Sequence, residues 1–180
     1  MNDIIILGGD QPCGAYLLHI HISEDLNVRI GRFRQGSPIP FPRGSALYLG
    51  SAMARTGSMT LARRTLRHAT RRHPLSPHAI RPKLLDELIT FGLAPPDIQP
   101  PQSKRPFWNI DHLLDQEAAE LHGLDLIRTA LAIETGLANL LLADPACWPI
   151  APGLGAHDNP GSTHLLHVHA DDLWWQNLPR

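Results

Sequence analysis

The chain has 180 residues, 43% of them hydrophobic and 18% charged, which is enough length and apolar content to bury a core without disulfides or metals. This excludes a highly charged disordered chain, and two cysteines, Cys13 and Cys147, exclude a disulfide scaffold and make a reducing compartment the simplest setting. The net charge of −1 hides a division: residues 29–83 hold twelve of the sixteen Lys and Arg and no Asp or Glu, whereas thirteen acidic residues follow Lys83.

Asp3–Leu7 is a short β-branched run and predicts a strand. Gly14–Ile22 alternates, with Tyr16, Leu18, Ile20 and Ile22 on one face and His19 and His21 on the other. Leu26–Phe33 follows a Ser-Glu-Asp turn and suggests a hairpin partner for it. Ser37–Arg43 carries three prolines and reads as a loop, and Ser45–Gly50 as a third strand. A helix is expected over Ser58–Arg72, N-capped by Ser58. Its apolar stripe is Ala62, Leu66 and Ala69, and Arg64, Arg67, His68 and Arg71 fall on the opposite side.

Residues 74–106 hold eight prolines and read as an insertion or lid with one short helix at about Pro82–Phe91, too short for a core of its own. Trp108–Leu114 is an ordered element, strand or helix. Leu121–Arg128 reads as a strand and Ala130–Ala143 as a largely buried helix. Residues 144–163 read as loop, and His164–Ala170 as a last strand. The apolar stretch Leu126–Ala143 is broken by Arg128 and Glu134, so no transmembrane span is expected. The N-terminus lacks the basic start and cleavage site of a signal peptide, so a cytoplasmic protein is expected.

The basic stretch has two readings. Either the acidic second half folds back and neutralises it, or it faces a phosphate-rich partner. Fourteen of the sixteen cations are arginine, whose planar fork suits phosphate oxygens.

Three motifs occur in order: Gly14-Ala-Tyr16, then Tyr48-Leu-Gly50, then Leu61-x-x-Arg64-x-x-x-His68. Further on come Phe107-Trp-Asn-Ile-Asp-His-Leu-Leu114, Glu134 and the glycine-containing run Gly153–Leu165, while Tyr48-Leu-Gly-Ser-Ala52 extends the second motif. This series resembles the GIY-YIG nuclease superfamily, most closely a branch of GIY-YIG-like domains sometimes fused to endonuclease III-like glycosylases. The likeness covers about residues 12–170. It implies one α+β domain over 1–180, with a small, mostly antiparallel central β-sheet flanked by helices and the proline-rich insertion at about 74–106. It also implies a metal-dependent DNA endonuclease or, as the alternative, a catalytically weakened binding module accessory to DNA repair.

On that resemblance Tyr16 activates the water. Arg64 clamps the phosphate or assists the phenol, Tyr48 and His68 line the same pocket, and Glu134 holds one Mg²⁺ or Mn²⁺. Arg63, Arg67, Arg71 and Arg72 contact DNA. The chemistry is reasonable: phosphodiester hydrolysis needs a nucleophilic water and charge relief on the phosphate, and a phenol near pKa 10 needs help to act as a base.

Each residue also has a plainer reading. A tyrosine on an apolar strand face is commonly core, and an arginine-rich helix face is commonly just solvated. Glu134, in an apolar helix, needs either a metal or an arginine as partner. The alternative function is a catalytically weakened nucleic-acid-binding module. A third reading draws on the histidines: His19 and His21 on one strand, with His164, His167 and His169 on another, would make a zinc or other transition-metal site if the strands were neighbours.

Overall fold

A computed structural model describes residues 3–155 and 162–178. Eight strands form: β1 (Ile4–Gly8), β2 (Gly14–Ile22), β3 (Leu26–Arg29), β4 (Pro38–Phe41), β5 (Gly44–Ala52), β6 (Ala119–Arg128), β7 (Cys147–Pro149) and β8 (Leu165–Val168). Five helices join them: α1 (Leu61–His68), α2 (Arg81–Thr90), α3 (Asn109–Leu114), α4 (Glu134–Ala143) and α5 (Asp172–Asn177). The main sheet has six strands in the order β1-β6-β2-β5-β8-β7. Only the β1–β6 pair is parallel. The α+β architecture and the mostly antiparallel central sheet flanked by helices are as expected.

Alternation on the central strands decides what covers each face. Tyr16, Leu18, Ile20 and Ile22 of β2 pack with Ala46 and Tyr48 of β5 into one core, closed by Leu61 and Leu66 of α1, Leu84 and Leu88 of α2 and Ile110 of α3. Leu17, Leu47, Leu49, Leu166 and Val168 face the other way and meet Ala138 and Leu141 of α4 and the tryptophans of α5. The sheet is therefore the middle of three layers.

Several local expectations need correction. β2 does not form a hairpin with Leu26–Phe33; it lies between β6 and β5, and β3 instead pairs with β4 in a separate two-stranded ribbon. The supposed loop Ser37–Arg43 thus contains a strand. It tolerates its prolines because Pro38 and Pro40 face solvent while Ile39 and Phe41 are buried. Helix α1 spans only Leu61–His68, and its cap is Thr60, whose side chain accepts the Arg63 amide, not Ser58. Helix α4 begins at Glu134 and buries only Ala138 and Leu141, leaving Leu140 exposed, so it is not the buried helix expected. Residues 144–163 include β7, and α5 had no counterpart in the sequence reading.

The proline-rich segment packs into the domain. Leu84, Leu88, Leu93, Ala94 and Ile98 join the same core as Tyr16. Lys104, near its end, is buried. No helix among the described residues is long and apolar enough to cross a membrane.

Candidate functional site

Tyr16 sits in the middle of the sheet, and one of its two ladder neighbours makes room for its ring. Its partner across the ladder is Gly50 of β5. A Cβ built on Gly50 would fall 2.8 Å from Cε2 of Tyr16 and closer still to its Cζ and Oη. The glycine is thus the floor on which the phenol lies, and Tyr48, two residues earlier, stands beside it with ring centroids 6.3 Å apart.

Helix α1 then delivers His68. The Tyr16 hydroxyl and His68 Nε2 are 2.9 Å apart. On the far side of the imidazole, Nδ1 is 3.6 Å from Asp111 Oδ1. With the Nδ1 proton facing the carboxylate, Nε2 is left to accept the phenol proton. Both tyrosine–histidine ring pairs are close, at 5.5 Å for Tyr16 and 6.1 Å for Tyr48. Asp111, Tyr16 and His68 are all completely buried.

Asp111 is the hub behind this chain. Its Oδ2 accepts the Phe107 amide at 2.9 Å, the Trp108 amide at 3.0 Å and Arg67 at 2.8 Å. Lys104 Nζ lies 3.2 Å from Oδ1 as an ion pair. Burial alone would raise the carboxyl, but His68, Lys104 and the Phe107 amide outweigh it and hold the group below the usual carboxylate range. Burial pulls His68 down to about 4 although Asp111 opposes the shift, so the ring is neutral at physiological pH. Burial pushes Tyr16 up, against the pull of the Arg64 guanidinium, and pushes Tyr48 up as well. Arg64 therefore does not make Tyr16 a phenolate, and the phenol's nearest basic neighbour is His68 Nε2.

Arg64 is itself buried, with its Cζ 4.1 Å from the centre of the Trp108 ring. Its Nη2 points to Met59 Sδ at 3.5 Å, and its Nε has no hydrogen-bond partner. It makes no ion pair among the described residues, but its charge acts on Tyr16, which it also hydrogen-bonds, and on Glu134.

Glu134 arrives from the other helical layer. Ser51 is out of phase with Tyr48 and Gly50 on β5, so its hydroxyl leaves the strand on the α4 side. That hydroxyl donates to Glu134 Oε2, and His164 Nδ1 lies 2.8 Å from Oε1. Burial would raise the carboxyl, but the His164 and Ser51 hydrogen bonds prevail and keep it ionised. The carboxylate still registers electrostatically on Tyr16, Tyr48 and Arg64. Its partners within the protein are the serine–histidine pair and not the arginine expected. Glu134 is the most open of the five residues, with its side chain 26% exposed, whereas Tyr16 is shut in.

The sequence thus named five residues that the fold draws to the end of β5, though not around one open hollow. Asp111, quoted in a motif without a role, Ser51 and Lys104 were missed, and His164, expected in a histidine metal site, instead meets Glu134. An acidic residue at the third position of a helix can accept the N-cap amide, as Asp111 accepts that of Trp108, and that was the available signal.

The four arginines assigned to DNA divide. Arg63 and Arg72 are exposed. Arg67 is committed to Asp111 and to the Arg105 carbonyl. Arg71 is buried, donating to the carbonyls of Leu114 and Ala119 and pairing with Glu120 at 3.0 Å. The expected solvated face is covered because residues 104–120 pack over it. The acidic second half neutralises some cations of the basic stretch, through Asp111 and Glu120, while Arg29, Arg32, Arg34, Arg43, Arg55, Arg63 and Arg72 are exposed without an ion pair among the described residues. A groove of about 230 Å³ beside α1 is lined by Arg63 and Arg67.

The histidine site does not form. β5 separates β2 from β8. His19 pairs with Asp125 at 2.9 Å, His164 with Glu134, and His167 stacks on Trp148. Among the described residues no group of three or more His, Cys, Asp or Glu is placed to hold a metal. Residues 156–161 of the expected closing loop lie outside the described residues.

Comparison with protein families matches residues 15–177 to a domain of unknown function, DUF123. The chain belongs to the DUF123 family. The expected GIY-YIG membership is corrected by this result, since no GIY-YIG family matches. The physical reason is local. In this DUF123 chain Gly14 has φ +155 and lies against the Ile127 carbonyl, and Gly50 underlies Tyr16. Tripeptides dictated by strand packing are short patterns and do not carry a family by themselves. No curated protein and no solved structure matches the DUF123 chain.

Proposed function

We propose that this chain is a metal-dependent nuclease that hydrolyses phosphodiester bonds in DNA. The observation that supports the reading best is the buried series Asp111–His68–Tyr16, which ends beside an unpaired guanidinium, Arg64, and near an ionised carboxylate, Glu134. A carboxylate, an imidazole and a hydroxyl in line form the logic of an activated nucleophile or base. As a water attacks phosphorus, Tyr16 accepts its proton and passes its own to neutral His68. Asp111 stabilises the imidazolium that forms. Arg64 offers its charge and its unpartnered Nε–H to a phosphate oxygen.

Glu134 fits a hydrated hard cation. It is ionised, partly exposed and oriented by Ser51 and His164, with one hydrogen bond on each oxygen and lone pairs remaining. Mg²⁺ or Mn²⁺ held there would relieve charge on the phosphate. The set does not suit zinc, which needs three or four nitrogen and sulfur donors.

The second reading, a nucleic-acid-binding module with weakened catalysis, is favoured by the complete burial of Tyr16. A panel of plasmid, single-stranded, flap and abasic DNA with Mg²⁺ or Mn²⁺ separates the two. The nuclease nicks at least one of them and loses that activity in Glu134→Ala while still binding. Binding without cutting by the wild type leaves the module, and absence of both rejects either reading.

A further inference from the structure

A second cleft, of about 570 Å³, opens at the β7 edge of the main sheet, between Trp148 and the β3–β4 ribbon. Register fixes which side it is on. Trp148 pairs with His167, and His167 pairs with Ala46. Directly opposed residues share a face, so Trp148 lies on the same face as Ala46, Tyr48 and Tyr16. It is two strands out from β5, roughly 10 Å across, and two residues along from Tyr48, roughly 7 Å. The chain that leaves Trp148 also turns to reach Gly155, where a Cβ would meet Tyr48 Cε2 at 3.2 Å.

The cleft has the parts of an aromatic shelf. Trp148 is 43% exposed, unusual for the largest apolar side chain, and it lies on the His167 ring with centroids 4.9 Å apart and planes 19° from parallel. A flat indole backed by a second ring is held in place with its other surface free. Opposite it stand Pro40 and Pro42, with Asn27 supplying an amide that can both donate and accept. The ribbon that forms this wall also carries Arg29 on β3 and Arg43 just after β4. Both are exposed and without an ion pair among the described residues. The one carboxylate on the wall, Asp25, accepts the Arg43 backbone amide at 2.7 Å.

A planar π surface, a neutral amide and flanking arginines are together the recognition set for an unpaired base on a phosphate chain. We infer that this cleft is a stacking subsite for one unpaired nucleobase of the strand whose phosphate lies at Arg64 and Glu134. The subsite rests on the nucleic-acid reading above and adds to it a substrate class: single-stranded DNA, or a duplex with a frayed or extruded base. A paired base presents only its edges, and a closed duplex cannot offer one to Trp148.

The test is fluorescence anisotropy of the full chain with a labelled oligothymidylate, the same strand with abasic positions, and a blunt duplex. The inference expects the single strand to bind more tightly than the duplex. It expects Trp148→Ala to weaken the single strand on the order of tenfold, Trp148→Phe to keep most of the affinity, and abasic positions to match the effect of Trp148→Ala in the unaltered protein. Unchanged affinity in Trp148→Ala, with the wild type binding normally, overturns the subsite alone. No binding of any strand by the wild type overturns the nucleic-acid reading and the subsite with it. A proline-rich peptide whose binding needs Trp148, where the oligonucleotide's does not, assigns the cleft to a peptide and overturns the inference.

Discussion

The Tyr16 phenol occupies the space that a side chain on Gly50 would fill. Any Cβ at residue 50 would collide with Cζ and Oη of the ring. Gly50→Ala therefore must displace Tyr16 or open β2 from β5. The expected cost is roughly 1–3 kcal/mol of overpacking. Denaturant unfolding measures it. The same variant should disturb the His68 imidazole resonances, because the Tyr16 hydroxyl can no longer hold its 2.9 Å contact. Unchanged stability and unchanged His68 resonances would mean that the phenol is not seated as described.

Asp111 holds three cationic or potentially cationic groups, Arg67, Lys104 and His68, in a site closed to water. Asp111→Asn leaves Lys104 buried without an opposite charge, apart from Asp115 at 3.9 Å. The expected loss is about 3–5 kcal/mol, read as a lower unfolding midpoint. Adding Lys104→Met should recover part of it, since the stranded charge is then gone. A double variant no more stable than Asp111→Asn would contradict the pairing.

The depressed His68 pKa makes stability depend on pH with a definite sign. The unfolded imidazole titrates at 6.5 and the folded one at about 4, so between these values the unfolded chain binds more protons. Stability is full above about pH 6.5 and is lost as the pH falls towards 4. Asp111 and Glu134, both below their ordinary values, extend the loss to lower pH. Unfolding free energy measured at about pH 7 and about pH 5 should fall in the wild type and fall less in His68→Gln. The slope that remains belongs to His78 and His122, which burial also depresses. An identical slope in His68→Gln would contradict a neutral, buried His68.

The arginines separate into structural and available ones. Arg71→Ala removes donors from two buried carbonyls and should cost about 3 kcal/mol. Arg63→Ala and Arg72→Ala should leave the midpoint unchanged within about 0.5 kcal/mol. If about six of the exposed arginines meet phosphates, log K against log salt should slope about −5, and each of these two variants should make it shallower by about 1. A flat salt dependence would remove DNA as the partner.

The β2 strand was legible in the sequence to its last residue, because it is central, long and alternating. The ribbon β3–β4 was not. Three prolines read as a loop, and the compensating alternation of Ile39 and Phe41 carries only two residues of signal. Helix α1 misled in another way. Its arginine face looked solvated because period-3.6 reasoning sees one helix at a time and cannot see that residues 104–120 fold over it. In the site, Tyr16, Tyr48, Arg64, His68 and Glu134 were recoverable from motif order alone. Asp111 was not given a role, because its importance comes from five partners brought in from α1, Lys104 and the preceding backbone amides, none of which is visible from its own position. The family was misread for a related reason: short strand motifs report packing needs before they report descent.

The central claim is that Tyr16, through His68, moves the proton of the attacking water. Single-turnover cleavage of a labelled DNA strand with Mg²⁺, measured beside binding of the same strand, compares Tyr16→Phe with the wild type. The account predicts a cleavage rate at least about 10²-fold lower in Tyr16→Phe with affinity unchanged. Cleavage at the wild-type rate without the phenol hydroxyl would contradict it.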